Sequence, residues 1–506
     1  MANSLSPFAL LAIAASLLTA CSKDDAETTE SSSADAVSIT SAYSSGTAVG
    51  STETAYNEDD ILANSAFTDT VLIQYGAATT VTNPLSGEGV SVTVSGDDVV
   101  VDATAAGVAY QVQGSASNGS LKLYSEKKFA LVLNGLTLSN DDGPAINIQS
   151  TKRAFVVLAA NTSNSLSDGA NYTVSDTEDQ KATFFSEGQL IFSGTGSLTV
   201  AGNYKHAICS DDYIRVVEGD ISISKAATDG FHTNEAFIAD GGTISVTAAS
   251  DGIECEEGYI VINDGQFVMN TGDDGMAASY EGTDEAIVPY VVINGGSIEV
   301  NSTEGEGIEA KNALTINGGT IKTITADDGL NAGTAININA GTIYCRSTDN
   351  DAIDSNGEMT ITGGLVLAVG ARQPEAGFDC DTRTFTITGG LVVGIGGATS
   401  SPTASVSKVP SLIMGGGTSG QLLHIRSADG TEALTFEAPV SYSTLLLAGS
   451  KLKQGDTYTI YSGGTVESGE TFYGLYTGGT YSGGTAGSSF TISTTVTVIG
   501  GSVSRG

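Results

Sequence analysis

The sequence predicts an all-β chain. Its main body is a parallel β-helix solenoid with about 23 residues and three short strands per coil, and a β-rich cap follows at the C-terminal end. Two recurring phrases predict this. One is Asn-Gly-Gly-Ser-Ile at 294–298, Asn-Gly-Gly-Thr-Ile at 317–321 and Asn-Ala-Gly-Thr-Ile at 339–343. Looser copies end at Leu138, Leu198, Ile221, Ile244, Phe267, Val366 and Val392, and from Leu198 onward the intervals are 23, 23, 23, 31, 23, 22, 23 and 26. The other keeps the same beat: Thr-Asp-Gly-Phe-His (228–232), Ser-Asp-Gly-Ile-Glu (250–254), Asp-Asp-Gly-Met-Ala (273–277), Gly-Glu-Gly-Ile-Glu (305–309), Asp-Asp-Gly-Leu-Asn (327–331) and Asn-Asp-Ala-Ile-Asp (350–354). Two phrases in one register describe coils of a single elongated body.

Residues 1–20 form a targeting segment outside the fold. The apolar run Pro7 to Ala20 is short for a bilayer span and ends Leu18-Thr19-Ala20-Cys21, which resembles the lipobox of bacterial lipoproteins. The resemblance implies lipidation at Cys21 and a surface-exposed lipoprotein of the outer membrane, with the lipid anchor as its only membrane contact. No Lys or Arg precedes the run, a departure from the usual signal. Ser22-Lys23-Asp24-Asp25 resembles a surface-export tag of Bacteroidota-type bacteria. Ser/Thr/Glu-rich sequence makes 21–60 a flexible tether.

Residues 61–400 hold the solenoid. Within 305–327, Ile308 and Ala310 alternate with Glu309 and Lys311, Leu314 and Ile316 flank Thr315, and Asn-Gly-Gly turns the chain into Ile321 and Thr323. Period-2 alternation in short pieces, punctuated by Gly, Asn and Asp, is strand–turn chemistry. Two inward columns follow. One is Phe231, Ile253, Met276, Ile308, Leu330, Ile353 and Phe378; the other is Thr233, Cys255, Ala278, Ala310, Ala332, Ser355 and Cys380, all small. Cys255 and Cys380 lie five coils apart, on the order of 24 Å at roughly 4.8 Å per coil, too far for a disulfide. Cys209, Cys255, Cys345 and Cys380 are accordingly structural. Before 198 the coils are less regular, with surplus residues around 161–181. Residues 401–506 break the repeat and form the cap.

The chain carries 58 acidic and 20 basic residues, a net charge of −38. Residues 401–506 hold six acids and five bases, so the charge lies almost entirely in the solenoid. Nucleic acid and anionic lipid surfaces are poor partners on these grounds. The acids form columns. Asp229, Asp251, Asp274, Glu306, Asp328 and Asp351 share one position, and Glu254, Glu309, Asn331, Asp354 and Asp379 stack three residues later. Successive coils set carboxylates roughly 5 Å apart, where like charges repel unless neutralised. Oxygen ligands on turns suit Ca²⁺. The candidate cradles are Asp251/Glu254 with Asp273/Asp274, Glu306/Glu309 with Asp327/Asp328, and Asp351/Asp354 with Asp349. Any single Asp before Gly is better explained as a turn residue; the column as a whole points to cations.

The Asp-Gly-Ile-Glu and Asn-Gly-Gly-Thr-Ile phrases, the lipobox and the β-rich tail resemble a family of bacterial exported proteins named for a carbohydrate-binding β-helix domain, distantly similar to pectate lyases. The resemblance covers roughly residues 60–460. It implies a right-handed parallel β-helix that binds Ca²⁺ and acidic, uronate-rich polysaccharide. On that reading the chain is a non-catalytic monomer that captures such glycans at the cell surface. The 31-residue interval places an insertion at Ser279–Pro289, and Tyr280, Tyr290 and Lys311 are the candidate sugar contacts. An alternative is a lyase-like enzyme on uronate substrates, whose base would come from Lys311, Arg346 or Arg372; these show no cluster in sequence. His206 and His232 read as surface solenoid residues. A third reading is a structural adhesin, which would tolerate loss of the acid columns.

Overall fold

The computed structural model describes residues 34–39, 46–173, 175, 177–381 and 383–504. The signal segment and Cys21 lie outside the described residues. Ile253–Cys255, Tyr259–Ile262 and Gln266–Thr271 make one representative coil of three strands. Each pairs in parallel with its counterpart in the next coil, Ile253 with Met276, Ile260 with Val291 and Phe267 with Ile298. The first strands of successive coils build one sheet of 13 strands, from Val90–Ser95 to Phe378–Cys380.

The predicted columns are in register. Phe231, Ile253, Met276, Ile308, Leu330, Ile353 and Phe378 pair in sequence, and all are fully buried. The glycine of the Asp-Gly phrase is required by close approach between coils. A Cβ on Gly252 would stand 2.5 Å from the Gly275 carbonyl oxygen. The last glycine of the Asn-Gly-Gly phrase has a different cause, since Gly319 turns the chain at φ +90. Cys255, Cys345 and Cys380 face the core as free thiols. Cys209 instead stands in register with His232 on the outward column, buried beside Ala182 and Phe185. In the irregular early coils, Ser163–Asp168 is a strand. The surplus residues therefore lie at 169–181, a narrower segment than the sequence indicates.

Both ends are closed, which hides strand edges that would otherwise template pairing with another chain. At the N-terminal end Val90–Ser95 pairs antiparallel with Asp98–Ala103, and Thr80–Thr82 pairs antiparallel with Asp69–Tyr75. At the other end Tyr442–Gly449 pairs antiparallel with the last third strand, Leu391–Gly396. A separate seven-stranded sheet, including Leu422–Ser427, Glu432–Glu437 and Thr457–Ser462, folds beside it. Its apolar side, Ile425, Leu434 and Phe436, joins a second core with Leu367, Val393 and Ile395 from the outer face of the solenoid. The cap is thus packed on the flank of the last coils as well as on their end.

The tether expected at 21–60 differs from the structure over its described residues. Asp35–Ser38 pairs with Leu475–Ser482 of the cap sheet. Residues 46–57 lie along the solenoid as a strap, held by a ladder of asparagines. Asn263, Asn294, Asn317 and Asn339 donate Nδ2–H to the carbonyls of Thr54, Glu53, Ser51 and Val49 at 2.7–2.9 Å. Each asparagine also donates to the residue one coil earlier, as Asn317 does to Asn294 Oδ1 at 2.9 Å. The strap ends at Asp60, buried against Arg153 at 2.8 Å and the Tyr213 hydroxyl at 2.6 Å. Polar composition suits a tether, but here the backbone of that segment is paired by side chains some 200 to 290 residues away.

Candidate functional site

The acid columns occupy the corner where each third strand turns into the next first strand. The first column does not stand on exposed turns. Asp229, Asp251, Asp274, Asp328 and Asp351 are 3–8 % exposed. Each sends one carboxylate oxygen to the backbone of the next coil. Asp251 Oδ1 accepts from the Asp274 N–H at 2.9 Å, Asp274 Oδ1 from Glu306 at 2.7 Å, and Asp328 Oδ1 from Asp351 at 3.0 Å. Asp229 Oδ1 and Asp351 Oδ1 likewise accept from Asp251 and Ala376. The column is therefore half structural: one oxygen ties coils together, while the second is held by His206 and His232 in Asp229 and by Asn331 in Asp328.

Among the described residues, none of the three predicted cradles assembles with all of its predicted members, but parts of two converge. Asp251, Asp273 and Asp274 bring ligand oxygens within 4.8 Å of one another, and so do Asp229, Asp251 and Glu254. Asp351 and Asp354 also converge, but with Asp379 as the third member. Asp349 is exposed and lines a neighbouring cleft instead. The Glu306/Glu309/Asp327/Asp328 cradle does not converge among the described residues. Glu309 is taken by the Lys311 ammonium at 2.6 Å, and Asn350 Nδ2 donates to Asp327. Asp379 was visible as a member of the second column; its selection over Asp349 depends on which turn folds inward.

Burial raises these acids. Asp328 is pushed up to about 9 by desolvation, with the Asp354 and Asp351 charges adding. Asp351 and Asp354 are each pushed up to about 7, again chiefly by burial and then by Asp379. Burial also raises Asp251 and Asp274, reinforced by Asp229 and Glu306 respectively. Such carboxyls are costly to ionise unless a cation joins them. Oxygen-only donor sets fit a hard divalent cation. Asp354 Oδ1 fits it further, being buried with no hydrogen-bond partner.

The three predicted sugar contacts have other partners. The Tyr280 hydroxyl accepts from the Asp284 N–H at 3.0 Å inside its own loop. Tyr290 stacks on Tyr259, rings 4.9 Å apart and 1° from parallel. Lys311 holds Glu281 at 3.1 Å as well as Glu309. The structure instead gathers two arginines that sequence spacing left apart. Arg346, at the end of a third strand, and Arg372, in the loop after the third strand of the next coil, line one cleft of about 430 Å³ with Ser347, Asp349 and Ser441. Neither arginine has an ion pair or side-chain hydrogen bond among the described residues. Asp349, which lines this cleft, stands two residues before Asp351 of the Asp351/Asp354/Asp379 cluster. His206 and His232, expected at the surface, are held in the corner with side chains only 9 % and 11 % exposed.

A family model described as "Carbohydrate-binding domain-containing protein" matches residues 95–376, and the chain belongs to that family. A protein of the same description from Acetivibrio thermocellus is 28 % identical over 118 residues, which is 22 % of this chain. The match spans 41 % of the length of that relative. A solved structure titled "Structure of the polysaccharide lyase-like protein from C. thermocellum, Gadolinium derivative" is similar over 58 % of this chain and 96 % of that one, at 20 % identity and a TM-score of 0.39.

Proposed function

We propose that the protein binds acidic, uronate-rich polysaccharide through Ca²⁺ at the corner of the solenoid, without catalysis. The observation that carries this reading is the Asp351/Asp354/Asp379 cluster beside a cleft lined by two unpaired arginines. Asp351, Asp354 and Asp379 hold Ca²⁺, as do Asp251, Asp273, Asp274 and Glu254 farther along the column. Bound Ca²⁺ supplies positive charge that offsets the buried carboxylates and accepts further oxygens from a ligand. Arg346 and Arg372 complement it, since guanidinium forks pair with carboxylates in two-pronged fashion. In a chain of net charge −38, a polyanion needs such local positive features to approach at all. The protein acts as a monomer displayed on the outer membrane through lipidated Cys21, which lies outside the described residues.

Retention of the soluble protein on immobilised polygalacturonate tests this, first with Ca²⁺ and then with chelator. Retention released by chelator is the expected result. No retention in either condition would reduce the acid columns to a structural role and favour an adhesin. The arginine cleft is also the specific observation that favours a lyase, because a guanidinium beside a bound uronate neutralises its carboxylate and eases removal of the adjacent proton. Unsaturated uronide products in the same assay would establish that activity in place of simple capture.

A further inference from the structure

At its N-terminal end the acid corner changes chemistry. The position of Asp229 and Asp251 is held one coil earlier by His206, because Ile208 pairs with Phe231 and each lies two residues downstream. In the second column, the position of Glu254 is held one coil earlier by His232. Each column therefore passes from carboxylate to imidazole, the first between His206 and Asp229 and the second one coil later, between His232 and Glu254. The two rings stack with centroids 4.1 Å apart and 23° between planes. Asp229 bridges their Nδ1 edges. Its Oδ2 is 2.8 Å from His206 Nδ1 and 3.1 Å from His232 Nδ1. Glu254 Oε2 is 4.0 Å from His232 Nδ1, and Thr228 Oγ1 is 3.0 Å from His206 Nδ1. On the far side of the ring, His232 Nε2 meets Glu256 Oε2 at 3.3 Å.

We propose that His206, Asp229 and His232 form a separate site for a borderline divalent cation of the Zn²⁺ class, distinct from the oxygen-only Ca²⁺ sites. Imidazole nitrogen selects such ions over Ca²⁺, which takes oxygen ligands. Two of the three donor separations suit it. Donors bound tetrahedrally at roughly 2.0–2.1 Å sit about 3.3 Å from one another, and the two nitrogen–oxygen separations need only a few tenths of an ångström of adjustment. Glu256 on the other ring nitrogen of His232 supplies the carboxylate–histidine–metal arrangement that fixes the tautomer and orientation of a metal-ligating imidazole. Binding displaces the Nδ1 protons that otherwise point at Asp229, so the site loads with proton release. This inference stands independently of the polysaccharide reading.

The test is Co²⁺ titration of the metal-free protein, followed by visible absorption, with Zn²⁺ competition. One equivalent of Co²⁺ is expected to give ligand-field bands that excess Ca²⁺ leaves intact and Zn²⁺ removes. His206→Asn and His232→Asn are each expected to abolish the bands, whereas Asp351→Asn retains them. Glu256→Gln, which leaves the ligands in place, is expected to weaken Zn²⁺ binding by about 10- to 100-fold. Thermal melting without metal establishes that each variant is folded; His232, the more exposed ring, decides the matter if His206→Asn does not fold. Absence of bands in the parent protein, displacement by Ca²⁺, or bands that persist in His232→Asn would overturn the site. The cluster would then be a hydrogen-bonded network only.

Discussion

Asp351→Asn separates the structural half of the acid column from its cation-binding half. Asparagine keeps the Oδ1 that accepts the Ala376 N–H, so the tie between coils survives, while the charge is removed. In the parent, burial lifts Asp351 from 3.8 to about 7. The folded carboxyl thus keeps its proton where the unfolded one has lost it. The associated stability is complete below the unfolded value and lost as pH rises through about 7. Between pH 5 and pH 8, in chelator, the parent forfeits on the order of 3 kcal/mol at this residue. The variant does not. His424, pushed down to about 4 by burial, titrates in the opposite sense in both proteins, so the readout is the variant-minus-parent difference. For a chain of this size about 1 kcal/mol corresponds to about 1 °C. Differential scanning in chelator is expected to show Asp351→Asn gaining about 3 °C on the parent from pH 5 to pH 8. In Ca²⁺ the sign reverses, because the variant has lost a ligand. An unchanged difference across pH would refute the buried, raised carboxyl. A gain that persists in Ca²⁺ would refute the cation site.

Three further outcomes follow from the same geometry. Arg346→Ala combined with Arg372→Ala is expected to weaken retention on polygalacturonate while leaving Ca²⁺ affinity, measured calorimetrically, unchanged. Asn317→Ala removes the donor to Ser51 O and to Asn294 Oδ1; a loss of about 1–3 kcal/mol in denaturant melts, with faster amide exchange across 46–57, is expected. The buried thiols of Cys255 and Cys345, each pushed up to about 12 by burial, are expected to resist thiol reagents in the native protein. All four described cysteines should react once it is unfolded, and rapid native labelling would contradict the core placement.

Much of this fold is legible in the sequence because a solenoid repeats its own register. The Asp-Gly-Ile-Glu phrase carries an inward apolar residue, an obligatory glycine and two acids at fixed offsets, and one pairing determines the rest. Burial of the acids is not legible in the same way. Asp before Gly suits an exposed turn, and only the backbone N–H of the next coil shows that Asp251 Oδ1 is an internal tie. The strap is hidden for a related reason. Nothing local in residues 46–57 demands order; its partners are Asn263 to Asn339. The arginine cleft needed the cap to complete it, since Ser441 joins residues from two successive coils. The histidines stand in the repeat itself, and aligning 206 on 229 and 232 on 254 reveals that each column changes ligand type, one coil apart.

The central claim is that Ca²⁺ on the acid corner bridges the protein to an acidic glycan. Polygalacturonate binding measured as a function of free Ca²⁺, for the parent and for Asp351→Asn/Asp354→Asn, tests it most directly. Saturable binding that requires Ca²⁺ in the parent and is lost in the folded double variant is the expected result. Binding that is independent of Ca²⁺, or equal in the two proteins, would contradict it.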